Sequence, residues 1–257
     1  MTEVAGPIFI MGFPRSGTSG LASGISQLQG FSDYNTEGHF LYLFANAIDR
    51  IREDHVNPNC VVRDAESKAA FFQSIADGAD AAYRVMTGAE RYQWIDKTPD
   101  IQQVEAIPAI LSLFPDSWFL YIYRDPVSAV RSNLATWPDQ LAGKHVEVAN
   151  RWVACQRQWR AKRSAIAPEK RLEIYQSELL ATPQKVTRAL ARKMNLSEEE
   201  IANALEFWSK NKRVNRPTEG DAAQVYDARQ LDDSVAQQVM EICAAEVAHW
   251  PKLNKND

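Results

Sequence analysis

Cysteine is scarce in this chain: Cys60, Cys155 and Cys243 are three in 257 residues, odd in number, far apart and without a C-x-x-C pair. That pattern excludes a disulfide framework and a thiolate zinc site, and it fits free thiols in a reducing compartment. Long hydrophobic runs are missing too. The stretch Trp118–Tyr123 is among the longest, and it is far too short to span a bilayer. The opening residues, MTEVAG, show no basic segment leading into an apolar one, so no secretory signal is expected. A cytoplasmic protein with no membrane partner is the expectation. Positive charge is not in excess: 29 Lys and Arg against 33 Asp and Glu leave a net charge of −4, which argues against nucleic acid as partner. No His/Cys/carboxylate cluster has metal-ligand spacing, so no metal is expected. Internal repeats, low-complexity tracts and obvious linkers are also absent, which excludes solenoids and tethered modules.

What is present is a 45% apolar chain, long enough for a full core in one domain spanning residues 1–257. Residues 7–12, PIFIMG, read as a buried parallel strand, and residues 17–28 continue with helical spacing of Leu21, Ile25 and Leu28. Helices are expected over residues 40–51 and 66–86. A weak strand is expected at 94–96, a helix at 101–114 and the strongest strand at 117–123. Asp125-Pro126 then starts another helix, proline being favourable in a first turn. A long helix over 145–166, a short strand at 171–175 and mostly helix thereafter complete the pattern. Strands alternating with helices imply βαβ units, hence an α/β fold with a central parallel sheet between two helical layers.

The junction of the first strand and first helix reads Gly12-Phe-Pro-Arg-Ser-Gly17-Thr-Ser19. A loop there offers backbone N–H groups and the positive end of a helix dipole to an anion. The glycine spacing is that of the Walker A pattern G-x-x-x-x-G-K-[ST], but Thr18 stands where the lysine belongs. A kinase or ATPase thereby loses its central charge. The cation here is Arg15, inside the loop.

Phe13-Pro-Arg-Ser-Gly-Thr-Ser19 resembles the 5′-phosphosulfate loop of sulfotransferases that use 3′-phosphoadenosine-5′-phosphosulfate (PAPS), in particular the P-R-S-G-T branch of tyrosylprotein, carbohydrate and many bacterial enzymes. A second segment, FLYIYRDPVSAVRS at 119–132, resembles the family's 3′-phosphate site, in which an arginine closes a strand and a serine follows eight residues later. Arg124 and Ser132 have that spacing; the arginine supplies a bidentate charge contact and the serine a hydroxyl. Weaker matches are Lys97-Thr-Pro99, similar to a K-x-P element, and Tyr175 in IYQSELLATP, similar to a segment whose tyrosine meets adenine.

The resemblance implies a P-loop-like three-layer α/β/α fold in which Pro14, Arg15, Ser16, Gly17, Thr18, Ser19, Arg124, Ser132 and Tyr175 bind PAPS without a metal. It also implies transfer of a sulfuryl group by in-line displacement to the hydroxyl of a small-molecule or carbohydrate acceptor; a carrier-bound acyl chain is a further candidate. Arg15 and Lys97 are the expected charge stabilisers. The proton acceptor is expected to be Glu37, with His39 two residues away as the alternative, since Lys97-Thr-Pro99 lacks the histidine of other branches.

Plainer uses compete at each place. Lys97 is also compatible with a surface lysine before a turn, Glu37 with the start of a helix, and Arg124 with a strand cap paired to Asp125. Asp100 reads as a helix N-cap and Asp96 as a neighbour able to orient Lys97. The basic run from Lys210 to Arg216 is either a last phosphate contact or a solvated loop. Phe40, Tyr42, Trp137 and residues 52–93 are expected around the acceptor. The rival function is a P-loop nucleoside or small-molecule kinase; a non-enzymatic nucleotide-binding module is the second.

Overall fold

The computed structural model describes residues 6–28, 31, 37, 39, 42, 62–87, 93–210 and 231–250. The helix expected at 40–51, the loop at 211–216, Phe40 and Cys60 lie outside the described residues, apart from Tyr42 within the first of these.

Strand β1 (Ile8–Gly12) leads to helix α1 (Thr18–Ile25); α2 (Ala65–Thr87) precedes β2 (Ile95–Lys97). Short helices α3 (Ile101–Glu105) and α4 (Ile107–Leu113) connect to β3 (Trp118–Tyr123). Helices α5 (Pro126–Thr136), α6 (Pro138–Leu141) and α7 (His145–Lys162) connect to β4 (Arg171–Tyr175). After it come α8 (Gln176–Ala181), α9 (Pro183–Met194), α10 (Glu198–Lys210) and α11 (Asp233–Val247).

The four strands form one parallel sheet in the order β2-β1-β3-β4, as the βαβ pattern requires. β1 and β3 are apolar throughout because both of their faces are covered. Strand alternation deals their side chains to two cores. Ile8, Ile10, Leu120 and Ile122 pack with Leu21, Ile25, Leu190 and Trp208. Phe9, Met11, Phe119 and Tyr121 pack with Trp94, Trp152, Trp159 and Val239. The fold is therefore a three-layer α/β/α sandwich. Trp208 fits against α1 only because position 24 is glycine: a Cβ there would lie 2.1 Å from the indole ring.

Several expected boundaries shift: the first helix stops at Ile25 and not at 28, and the weak strand lies at Ile95–Lys97. The single helix at 101–114 is divided at Ala106, because Pro108 has no N–H to offer the carbonyl one turn back. The long helix at 145–166 ends at Lys162 and tightens into a 3₁₀ turn over Arg163–Ala165. Asp125 and Asp100 act as N-caps, accepting from the amides of Ser128 at 2.8 Å and Gln102 at 3.0 Å. The parallel register places Gly12, Lys97, Tyr123 and Tyr175 at one edge, the carboxyl ends of the strands, where α/β sheets take their ligands.

Candidate active site

The loop between β1 and α1 is folded back on itself and clamped from behind. The Ser16 N–H donates to the Phe13 carbonyl at 3.1 Å, closing a tight turn. Arg15 has φ +67°, a left-handed conformation uncommon for any residue but glycine, and Gly17 follows at φ +96°. Such a backbone persists where its surroundings over-determine it. Here they do: Asn133 Nδ2 donates to the Pro14 carbonyl at 3.0 Å and to Ala129 O at 2.8 Å, while Arg124 Nη1 donates to the Arg15 carbonyl. Arg15 Nε donates to Ser132 Oγ at 3.4 Å. The residue that follows β3 and the second half of α5 thus set the shape of a loop more than a hundred positions earlier in the chain.

The side chains gathered there call for an anion. Burial lowers the Arg124 pKa to about 10, and the like charges of Arg15 and Arg131 press it the same way against the pull of Asp125. Arg15 is also lowered, by burial, although Glu37 opposes the shift. Ser16 Oγ and Arg124 Nε are buried polar atoms without a hydrogen-bond partner in the structure. Cations crowded together, orphaned donors and the free amides of a helix N-terminus fit the phosphate groups of a nucleotide.

Across the pocket Lys97 Nζ donates to Glu37 Oε1 at 2.7 Å. Lys97 is only 5% exposed, so this ion pair is partly desolvated. Glu37 Oε2 meets His39 Nε2 at 2.9 Å, and His39 Nδ1 meets Tyr42 Oη at 3.2 Å. Burial alone would raise the Glu37 pKa. Hydrogen bonds and charge from Lys97 and His39 outweigh it and hold the carboxyl below the ordinary value of 4.5. Glu37 is accordingly ionised at neutral pH.

A pocket of about 230 Å³ joins the two sides, bordered by Arg15, Thr18, Glu37, His39, Asp100 and Trp137. Pro14, Gly17 and Ser19 also reach it. Lys97 meets it through Glu37, whereas Arg124 and Ser132 stand behind Arg15 and Ser16 is buried within the loop. Tyr175 is elsewhere: its ring stacks on Tyr123 at 5.3 Å and lies edge-on to Trp250 at 5.5 Å. Asp96 does not face Lys97's carboxylate partner. It is 1% exposed and accepts from Tyr83 Oη and, at 2.7 Å, from Thr98 Oγ1. Sequence reasoning gave no role to Asn133, Thr98 or Tyr83. The signal for Asn133 was faint, an amide one residue beyond Ser132.

A parallel sheet whose first strand turns through a cationic loop into a helix, with a charged pocket at the strand ends, defines an α/β enzyme built to hold a phosphorylated nucleotide. The profile of the sulfotransferase family matches residues 7–200. Among solved structures, similar ones include the sulfotransferase domain of the curacin biosynthetic pathway (18% identity, TM-score 0.58, covering 94% of this chain and 97% of that one). The sulfotransferase domain of the Synechococcus PCC 7002 olefin synthase is alike at 18% identity and TM-score 0.57, with 93% and 94% covered. Sulfotransferase STF9 from Mycobacterium avium gives 15% identity and TM-score 0.56, with 97% and 78% covered. No curated protein matches in sequence. The chain belongs to the sulfotransferase family.

Proposed function

We propose that the enzyme transfers the sulfuryl group of PAPS to a hydroxyl of a small-molecule or carbohydrate acceptor, with Glu37 as the base. The observation that carries this reading is the meeting of a cationic phosphate loop and an ionised carboxylate in one pocket, close enough for the Glu37 charge to act on Arg15. Bound there, PAPS supplies a sulfate already activated by a phosphate leaving group. Arg15 and the amides of Gly17, Thr18 and Ser19 hold the 5′-phosphate side and offset charge growing on the leaving oxygen. Arg124 and Ser132 take the 3′-phosphate. Lys97 steadies the reacting end and fixes one oxygen of Glu37, while His39 fixes the other. Glu37 takes the hydroxyl proton as the acceptor attacks. Trp137, 38% exposed at the pocket rim, offers a flat apolar face to an acceptor ring.

Calorimetric titration with 3′-phosphoadenosine-5′-phosphate, ADP, and ATP with Mg²⁺ tests the nucleotide. Preference for the 3′-phosphorylated ligand without metal is expected; tighter ATP binding would overturn the proposal in favour of a kinase. A panel of sugar and phenol hydroxyls with PAPS then tests the acceptor class.

A further inference from the structure

We propose that Thr98 is a positioning residue for the base: its buried hydroxyl holds the main chain of His39, and through it the Glu37 carboxylate, in working register with Lys97. The inference rests on the reading of Glu37 as the base.

Thr98 is fully buried, and its hydroxyl is used in both directions. It donates to Asp96 Oδ1 at 2.7 Å, and its oxygen accepts the His39 N–H at 3.3 Å. The direction of the second bond is enforced, because the main-chain N–H of His39 can only donate; the single Thr98 proton is then left for Asp96, whose other oxygen pairs with Tyr83. A hydroxyl whose proton is committed can only accept from a second partner, so Thr98 presents a fixed lone pair to His39.

His39 needs that anchor. It stands at φ +42°, in the left-handed region that non-glycine residues occupy only when something holds them there. Its ring bonds Glu37 Oε2 at 2.9 Å while Lys97 holds Oε1 at 2.7 Å, so a shift of the His39 backbone moves one of the two supports of the carboxylate. Lys97 and Thr98 are consecutive residues at the end of β2, whose register is set by pairing with β1. One strand end therefore fixes the base from two sides: directly through a side-chain amine and indirectly through a hydroxyl on the backbone. Burial pushes the Asp96 carboxyl upward while the Tyr83 and Thr98 hydroxyls, with His39 and Lys97, pull it down. Burial wins, and the carboxyl stays above its ordinary value, with the two hydroxyls opposing the rise.

The test compares Thr98→Val, Thr98→Ser and Tyr83→Phe in the full chain. His39 imidazole resonances, assigned by their loss in His39→Asn, report contact with Glu37 independently of turnover. In Thr98→Val they should move toward their positions in Glu37→Gln. With PAPS and an accepted hydroxyl, kcat should fall by roughly 10- to 100-fold, the scale of a misplaced group, with affinity for 3′-phosphoadenosine-5′-phosphate kept. Thr98→Ser should restore both. Tyr83→Phe removes the other partner of Asp96, so it should lower the melting temperature but leave the His39 resonances in place. If Thr98→Val and Tyr83→Phe lower stability alike and neither moves His39, Thr98 is merely structural and the proposal falls. Should Thr98→Val not fold, exchange of the His39 amide in the native protein decides: protection supports the bond to Thr98, and exchange at the free-peptide rate overturns it. Movement of the His39 resonances in a protein whose Glu37→Gln variant retains full kcat would sink the base assignment and leave the anchoring intact.

Discussion

The two sides of the pocket are built in opposite ways. The loop side is made of contiguous segments at two strand–helix junctions, β1–α1 and β3–α5, and each strand end delivers its cation in a fixed direction. The carboxylate side reaches the sheet through a few side-chain bonds that span about sixty positions, Lys97 to Glu37 and His39 to Thr98. The loop side is over-determined, with two successive carbonyls clamped by Arg124 and Asn133. Among the described residues the carboxylate side shows one bond at each junction, Lys97 to Glu37 and Thr98 to His39, each of which one substitution removes. A cationic loop with little freedom thus faces a proposed base whose placement is more easily lost.

Substitutions break that contrast in graded steps. Glu37→Gln should cost the most, roughly 10²–10⁴ in kcat, while binding of 3′-phosphoadenosine-5′-phosphate by calorimetry stays near wild type. Arg15→Ala should cost roughly 10²–10³ in kcat and weaken the nucleotide as well, with circular dichroism unchanged. Near-normal turnover in that variant would remove Arg15 from the chemistry. Arg124→Lys keeps the charge but loses the planar fork, so nucleotide affinity should fall about tenfold with little change in kcat at saturation.

A shift in pH dependence tests the coupling itself. Glu37 acts as an anion, and its pKa is held below 4.5, so wild-type kcat/KM should persist as pH falls until that lowered value is reached. The ion pair's contribution to stability is likewise complete above the ordinary carboxylate value and lost as pH falls through the lowered one. Lys97→Met removes the hydrogen bond and the charge that lower it and leaves the effect of burial, which raises it. The acid limb of the residual activity should therefore move to higher pH. An unmoved limb would mean that another group sets it.

The contrast between the two sides also explains what the sequence disclosed. Gly12 to Ser19 and Arg124 to Ser132 were legible because a strand, its exit residue and the next helix are adjacent in the chain, so spacing carries geometry. Glu37 and Lys97 could be named separately, but not their 2.7 Å pairing, because no local pattern records a contact between positions 60 apart. Asn133, Thr98 and Tyr83 escaped for a related reason: a buried amide or hydroxyl looks like any other polar residue until its partner is known. Pro108 marks the division at Ala106, whereas the apolar spacing runs on through it.

The crowding of Arg15, Arg124 and Arg131 has a consequence for the protein as a material. Groups of one sign held close together repel one another, and a bound anion turns that repulsion into cohesion. A ligand at a hundred times its dissociation constant adds about 2.7 kcal/mol to stability through mass action alone. The heat tolerance of this enzyme is then a property of its surroundings as much as of its chain: in a cell it tracks the supply of nucleotide, and in a tube it tracks the choice of buffer salt.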